Sequence, residues 1–148
     1  MREIILQLAR NKIFLTTLSA WIIAQTIKVT IGVIRQKRFD FRWFIGTGGM
    51  PSSHAAGASC LAAAVGFHYG FDSVYFALAA SFAIVVMFDA QGVRRSTGKQ
   101  AGILNKIMDD IYWQGRIQES HLRELVGHTP IEVIAGFLLG VVIALVAR

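Results

Sequence analysis

Three polar clusters interrupt an otherwise apolar chain. They are Lys28 with Arg35, then Pro51-Ser52-Ser53-His54, then Arg123 with His128 and Glu132. Each lies at or near the edge of a hydrophobic stretch. Ionisable groups at such edges are costly beside hydrocarbon and usually serve chemistry. Two histidines, three cations, hydroxyls and a carboxylate are the parts of a phosphoryl-transfer site. Without a metal, that reaction needs cations against the phosphoryl oxygens and backbone N–H groups to cradle them. It also needs a nucleophile for phosphorus and an acid for the leaving oxygen.

The spacing within each cluster says how it could work. Lys28 and Arg35 are seven residues apart, two helical turns, and share one helix face. A lysine near mid-span costs roughly 3 kcal/mol against lipid, so Lys28 is expected to face the bundle interior or to snorkel. The alternative for both is an interfacial anchor, which is the favoured reading for Arg35 taken alone and not for Lys28. Ser52 and Ser53 precede an apolar run and read as N-caps, with anion-binding N–H groups beyond them and His54 in the first turn. A plain capped helix start is the alternative. In His128-Thr129-Pro130-Ile131-Glu132, Thr129 and Glu132 match a capping box with proline at the first helical position. Should the helix extend back through His128, Glu132 lies one turn away and can orient the imidazole and fix its tautomer.

The elements that must position these groups are membrane-length helices. The 148 residues are 54% hydrophobic and only 16% charged, with a mean hydropathy of +0.51. A soluble domain carries nearer a quarter charged residues. The expectation is one membrane-embedded domain over residues 1–148, all-α, with about four transmembrane helices. Ile13 to Ile34, Ala55 to Phe67, Val74 to Phe88 and Ile131 to Ala147 are the candidate spans. The second is rich in small residues, and the fourth carries Gly136 and Gly140 on one face, a spacing suited to close helix contact. Ile103, Leu104, Ile107, Met108 and Ile111 recur at helical spacing within the 91–130 segment and predict an amphipathic helix over 99–114. It could lie on the membrane surface or cover the bundle. Met1 to Lys12 is polar and mixed in charge and does not read as a signal peptide. Cys60 is the sole cysteine, which rules out an intrachain disulfide.

The second and third spans form a hairpin, so segments 35–54 and 91–130 emerge on one side, and all three clusters face it. That side carries Arg35, Lys37, Arg38, Arg42, Arg94, Arg95, Lys99, Lys106, Arg116 and Arg123, against Arg2, Arg10, Lys12 and Arg148 on the other. The positive-inside tendency puts the clusters in the cytoplasm. The formal charge of +6 suits anionic headgroups or phosphorylated substrates. Nothing resembles a nucleic-acid module.

Taken in order, the clusters read lysine, six residues, arginine; then Pro-Ser-x-His; then Arg…His-x-Pro-x-acid-Val-x-x-Gly. This order resembles the three signature motifs of the type-2 phosphatidic acid phosphatase superfamily, which also includes vanadium haloperoxidases and bacterial acid phosphatases. The chain looks like a small, divergent branch, and the resemblance spans roughly residues 28–140. It implies a helical bundle whose membrane members dephosphorylate lipid phosphates or pyrophosphates, with no metal or other cofactor required. It implies that Lys28, Arg35 and Arg123 bind phosphate, and that Ser52 and the backbone around Ser53 hold its oxygens. His54 would be the general acid, and His128 the nucleophile forming a phosphohistidine, oriented by Glu132. The chain departs from the pattern in several places. Gln36 stands where proline is usual, Ser53 where glycine is usual, and Leu122 where serine is usual. Arg123 is five rather than six residues before His128, and Glu132 replaces aspartate. One residue swings a helical side chain by ~100°, which would turn Arg123 away from the phosphate. Arg94 or Arg95, beyond the third span, could replace it, and Asp89 could pair with Lys28. The alternative for these arginines is a charged helix end at the headgroups.

The expected function is therefore metal-independent hydrolysis of a lipid phosphate or pyrophosphate at the cytoplasmic face of a bacterial-type inner (plasma) membrane. Undecaprenyl pyrophosphate, phosphatidic acid and phosphatidylglycerol phosphate are unranked candidates. The alternative is a non-catalytic phospholipid-headgroup binder or transporter that keeps the cationic pocket. The expected partners are the lipid phosphate and membrane lipids, and a second copy of the chain could help to bury the polar site.

Overall fold

The computed structural model describes residues 1–37, 49–92, 100, 102–105, 108 and 128–148. Among the described residues there is helix and no strand. Five helices are named here: α1 (Arg2–Arg10), α2 (Lys12–Gln36), α3 (Ser53–Tyr69), α4 (Val74–Gln91) and α5 (Pro130–Val146). All four apolar stretches of the sequence are helices, and each extends a little beyond its expected bounds or shifts by a residue. The N-terminal stretch is also helical, as α1. Asn11 separates it from α2 and caps α2 by accepting from the Phe14 amide at 3.0 Å. In the expected amphipathic segment, residues 100, 102–105 and 108 are helical. The rest of 99–114 lies outside the described residues.

The α3–α4 turn is built from local chemistry. Gly70, at φ +91°, ends α3 in a conformation that a side chain resists. Ser73 then caps α4, accepting from the Phe76 amide at 3.1 Å.

Helix α3 is the hub, and α2, α4 and α5 all pack on it. Its alanines, glycines and serines let backbones approach closely, and eleven of its seventeen residues are buried. One cluster joins Cys60 and Ala63 of α3 to Ala20 of α2 and Ala144 of α5. A second joins Ala58 and Ala62 to Ala83 of α4. Helices α2 and α4 touch α3 but do not meet each other.

The closest approach is between α3 and α5. A side chain at Gly136 would collide with the Ser52 carbonyl and Ala55, and one at Gly140 with the Ala56 carbonyl and Ser59 Oγ. The two glycines thus mark a parallel crossing in which the N-terminal ends of α3 and α5 lie together. The Ser59 hydroxyl fastens it by donating to the Phe137 carbonyl at 3.1 Å.

Helices α2 and α4 are long and apolar enough to cross a membrane. Helix α5 is apolar but shorter. Both α3 and α5 have seventeen residues, which at ~1.5 Å per residue is about 25 Å, short of a hydrocarbon core of about 30 Å. On α4, Leu78, Phe82, Val85 and Phe88 are all exposed, a surface that suits hydrocarbon and not water.

Candidate functional site

Helix ends build the site. The N-termini of α3 and α5 converge with the C-terminal half of α2 and the C-terminus of α4. Two backbone bonds lock the ends together. The Ser52 amide donates to the Glu132 carbonyl at 3.0 Å, and the His128 amide donates to the Ala90 carbonyl at 3.0 Å. The second bond satisfies one of the carbonyls that the last turn of α4 cannot pair within the helix. Two helix N-termini at one pole concentrate partial positive charge where an anion can lie.

Ser52 is the N-cap of α3, fully buried, with its Oγ accepting from the Ala55 amide at 3.3 Å. Its hydroxyl oxygen thus caps the helix start and its amide ties that start to α5, while the hydroxyl hydrogen takes part in neither bond. The next two amides, of Ser53 and His54, belong to the first turn, where no intrahelical carbonyl can reach them. Amides so placed can bind an anion. Ser53 presents its hydroxyl to Lys28.

Lys28 is only 8% exposed. Its Nζ donates to Gln25 Oε1 at 3.2 Å and to Ser53 Oγ at 3.5 Å. It also interacts electrostatically with the Glu132 carboxylate. Gly49, at φ +86°, packs its backbone against the Lys28 stem, where an added Cβ would sit 3.2 Å from Cγ. The interior placement expected for Lys28 is the one found.

His128 is 1% exposed. Its Nδ1 lies 3.1 Å from Glu132 Oε2. An ionised carboxylate only accepts, so the bond assigns the proton to Nδ1 and leaves the lone pair of the neutral ring on Nε2. The same Oε2 accepts from the Thr129 amide at 3.0 Å, while Thr129 Oγ1 accepts from the Glu132 amide at 3.4 Å. The capping box is complete, with Pro130 opening the helix. Helix α5 does not extend back through His128, and the histidine–glutamate pair forms nonetheless. One carboxylate oxygen both caps the helix and orients the ring.

The two histidine rings face each other with centroids 6.1 Å apart and planes tilted by 60°. Lys28, Ser52, Ser53, His54, His128 and Glu132 are thus one constellation. Arg35 is exposed in the last turn of α2. Asp89 is exposed beside Ala90, while the Lys28 ammonium bonds Gln25 and Ser53. Arg94, Arg95 and Arg123 lie outside the described residues. Gln25, 4% exposed, is a site member that the reading of the clusters missed. Its signal was a polar amide three residues before Lys28 in an apolar run. Among the described residues, no group of three or more histidine, cysteine or acidic side chains is placed to hold a metal ion.

The model of the Divergent PAP2 family matches residues 9–143. The chain is 40% identical over 152 residues to the uncharacterized membrane protein YuiD of Bacillus subtilis (strain 168), an alignment covering 95% of this chain and 96% of that relative. No solved structure matches. The membrane relative and the two long apolar helices together associate the chain with a membrane. The family model, which spans most of the chain, and this relative show that the chain belongs to the Divergent PAP2 family.

Proposed function

We propose that the protein is a metal-independent membrane phosphatase acting on a lipid phosphate or pyrophosphate. The observation that carries this reading is the His128–Glu132 pair at 3.1 Å facing His54 across 6.1 Å, with Lys28 alongside. A phosphorus about 3–3.5 Å from one ring, with its leaving oxygen within about 2.6–3.2 Å of the other, spans a gap of this order.

In the proposed reaction, Lys28 and the first-turn amides of α3 hold the phosphoryl oxygens. The Nε2 lone pair of His128 attacks phosphorus and forms a P–N bond as the P–O bond to the lipid breaks. His54 gives its proton to the departing oxygen, which leaves as the lipid alcohol or, from a pyrophosphate, as the lipid monophosphate. Glu132 stabilises the charge that develops on the His128 ring. Water, deprotonated by His54, then attacks phosphorus. The P–N bond breaks, inorganic phosphate leaves, and both histidines return to their starting states.

Four membrane spans, α2 to α5, with the site on the cytoplasmic side of a bacterial-type inner membrane, complete the proposal. It is supported by the excess of lysine and arginine in the segments that join at the polar pole. The site is short of cations among the described residues, and Arg123, Arg94 or Arg95 would supply the next.

The test is inorganic phosphate release by the purified protein in detergent with EDTA present, over a panel of lipid phosphates and pyrophosphates. Release that disappears in both His128→Ala and His54→Ala is the expected result. No release from any substrate, with phospholipid still bound through Lys28, would replace the phosphatase by a non-catalytic headgroup binder or transporter.

A further inference from the structure

Helix α3 has a second face. His54, Gly57, Ala58 and Leu61 follow one another at spacings of three, one and three residues, so they form one stripe. It is distinct from the stripe of Ala56, Ser59 and Cys60 that meets α5. Over the first stripe, α2 and α4 stand apart and do not meet. The result is a groove of about 350 Å³, floored by α3 and walled by Leu18 and Trp21 of α2 and Phe82 and Val86 of α4. Its size falls within the range of ligand pockets.

The lining is hydrocarbon and aromatic along most of its length. The polar exceptions beside Thr17 are Ser53 and His54, the two residues that also belong to the phosphate site. The groove therefore begins at His54 and leads away from it between two helices of membrane-spanning length. A water-soluble phosphate ester would leave such a surface without a partner. A second protein helix is a poor match, because the floor is narrow and opens directly on a catalytic-type histidine.

We infer that the groove between α2 and α4 holds one hydrocarbon chain of the lipid phosphate, reached sideways from the bilayer. This rests on the proposed place of the headgroup at Lys28, His54 and His128, but not on turnover. It fixes the orientation of the bound lipid. The chain lies on the His54 side, so the lipid oxygen is the one within reach of that ring, and the phosphoryl group is left against His128. Leu18, Leu61 and Val86 become determinants of chain length and bulk.

The experiment is photolabelling of the full-length protein in nanodiscs with phosphatidic acid that carries a diazirine in one acyl chain, mapped by mass spectrometry. The expected labels fall on Leu18, Leu61 and Val86, and excess unlabelled phosphatidic acid removes them where diacylglycerol does not. Leu61→Trp and, on a different helix, Leu18→Trp should each narrow the groove. Each should cut the preference for long-chain over short-chain phosphatidic acid by about tenfold, the effect of displacing roughly two buried methylenes. Equal labelling of the outward-facing Leu78 and Val85, or equal competition by diacylglycerol, would overturn the inference. So would cross-links between two copies through the groove. The two readings fail separately. Groove labels that vanish in Lys28→Met without any hydrolysis would remove the phosphatase and keep the chain site. Hydrolysis of short-chain phosphatidic acid without groove labels would do the reverse.

Discussion

The two faces of α3 are made of the same small residues and are used in opposite ways. Toward α5, Ala55, Ala56 and Ser59 meet Gly136 and Gly140 with no room for another carbon. Toward the gap between α2 and α4, a Cβ at Gly57 would meet only Trp21 Cβ, at 3.9 Å. Small side chains at a helix surface thus do not by themselves mean contact. What separates the two faces is the opposing helix. Glycines in α5 allow its backbone to close on α3, while α2 and α4 diverge. The closed face sets the geometry of the polar pole, and the open face gives access to it.

That contrast can be broken in a graded way. The largest effects should come from chemistry with the closed face intact. His54→Ala should slow phosphate release by about 10²–10⁴-fold, and His128→Ala by at least as much. Both proteins should still elute as folded material in detergent. Glu132→Gln comes next. The amide oxygen can still accept from Thr129, so α5 remains capped, but the charge that stabilises a protonated His128 ring is gone. A loss of about 10²-fold in turnover with little change in the melting midpoint is expected. A matching collapse in stability would mean that Glu132 serves the cap alone.

Gly136→Val attacks the closed face directly. The new side chain meets the Ser52 carbonyl, and the expected cost is about 1–3 kcal/mol of stability, seen as a lower midpoint together with lost activity as the two helix starts separate. Ser59→Ala, which removes the hydroxyl bond to Phe137, should cost about 1 kcal/mol. Smallest is Gly57→Ala on the open face. It should be neutral, or stabilising by up to about 1 kcal/mol from helix propensity. A destabilisation as large as that of Gly136→Val would show that the two faces do not differ as described.

Much of this was legible in the sequence, where the information is local. Ser52 and Thr129 announced helix starts because capping depends on residues within one turn. Gly136 and Gly140 announced a close crossing because a four-residue spacing places both on one face. Lys28 was expected inside because lipid leaves a mid-span ammonium few other places. The partnerships were less legible. The sequence conditioned the His128–Glu132 pair on a helix running through His128. The structure makes the pair with His128 just outside the helix, because its amide is held by Ala90 from a different helix. Ser52 was expected to grip phosphate; its Oγ also caps α3 and its amide links to α5, and neither bond uses the hydroxyl hydrogen. Gln25 was overlooked because an amide in an apolar run carries no motif. The groove could not be read at all, since it depends on two helices failing to meet. The roles expected for Arg94, Arg95 and Arg123 lie outside the described residues.

The links from Ser52 to Glu132 and from His128 to Ala90 join segments made at different times on the ribosome. When α2, α3 and α4 have emerged, His54 and Lys28 exist, but the His128–Glu132 pair and the glycines that fit the α5-facing stripe of α3 do not. Only the arrival of α5 supplies the glycines that fit that stripe, and the same docking brings His128 and Glu132 to the pole. Under the proposed reaction, reactivity is then a late product of biogenesis, because a chain stalled before α5 lacks the His128–Glu132 pair that the reaction needs.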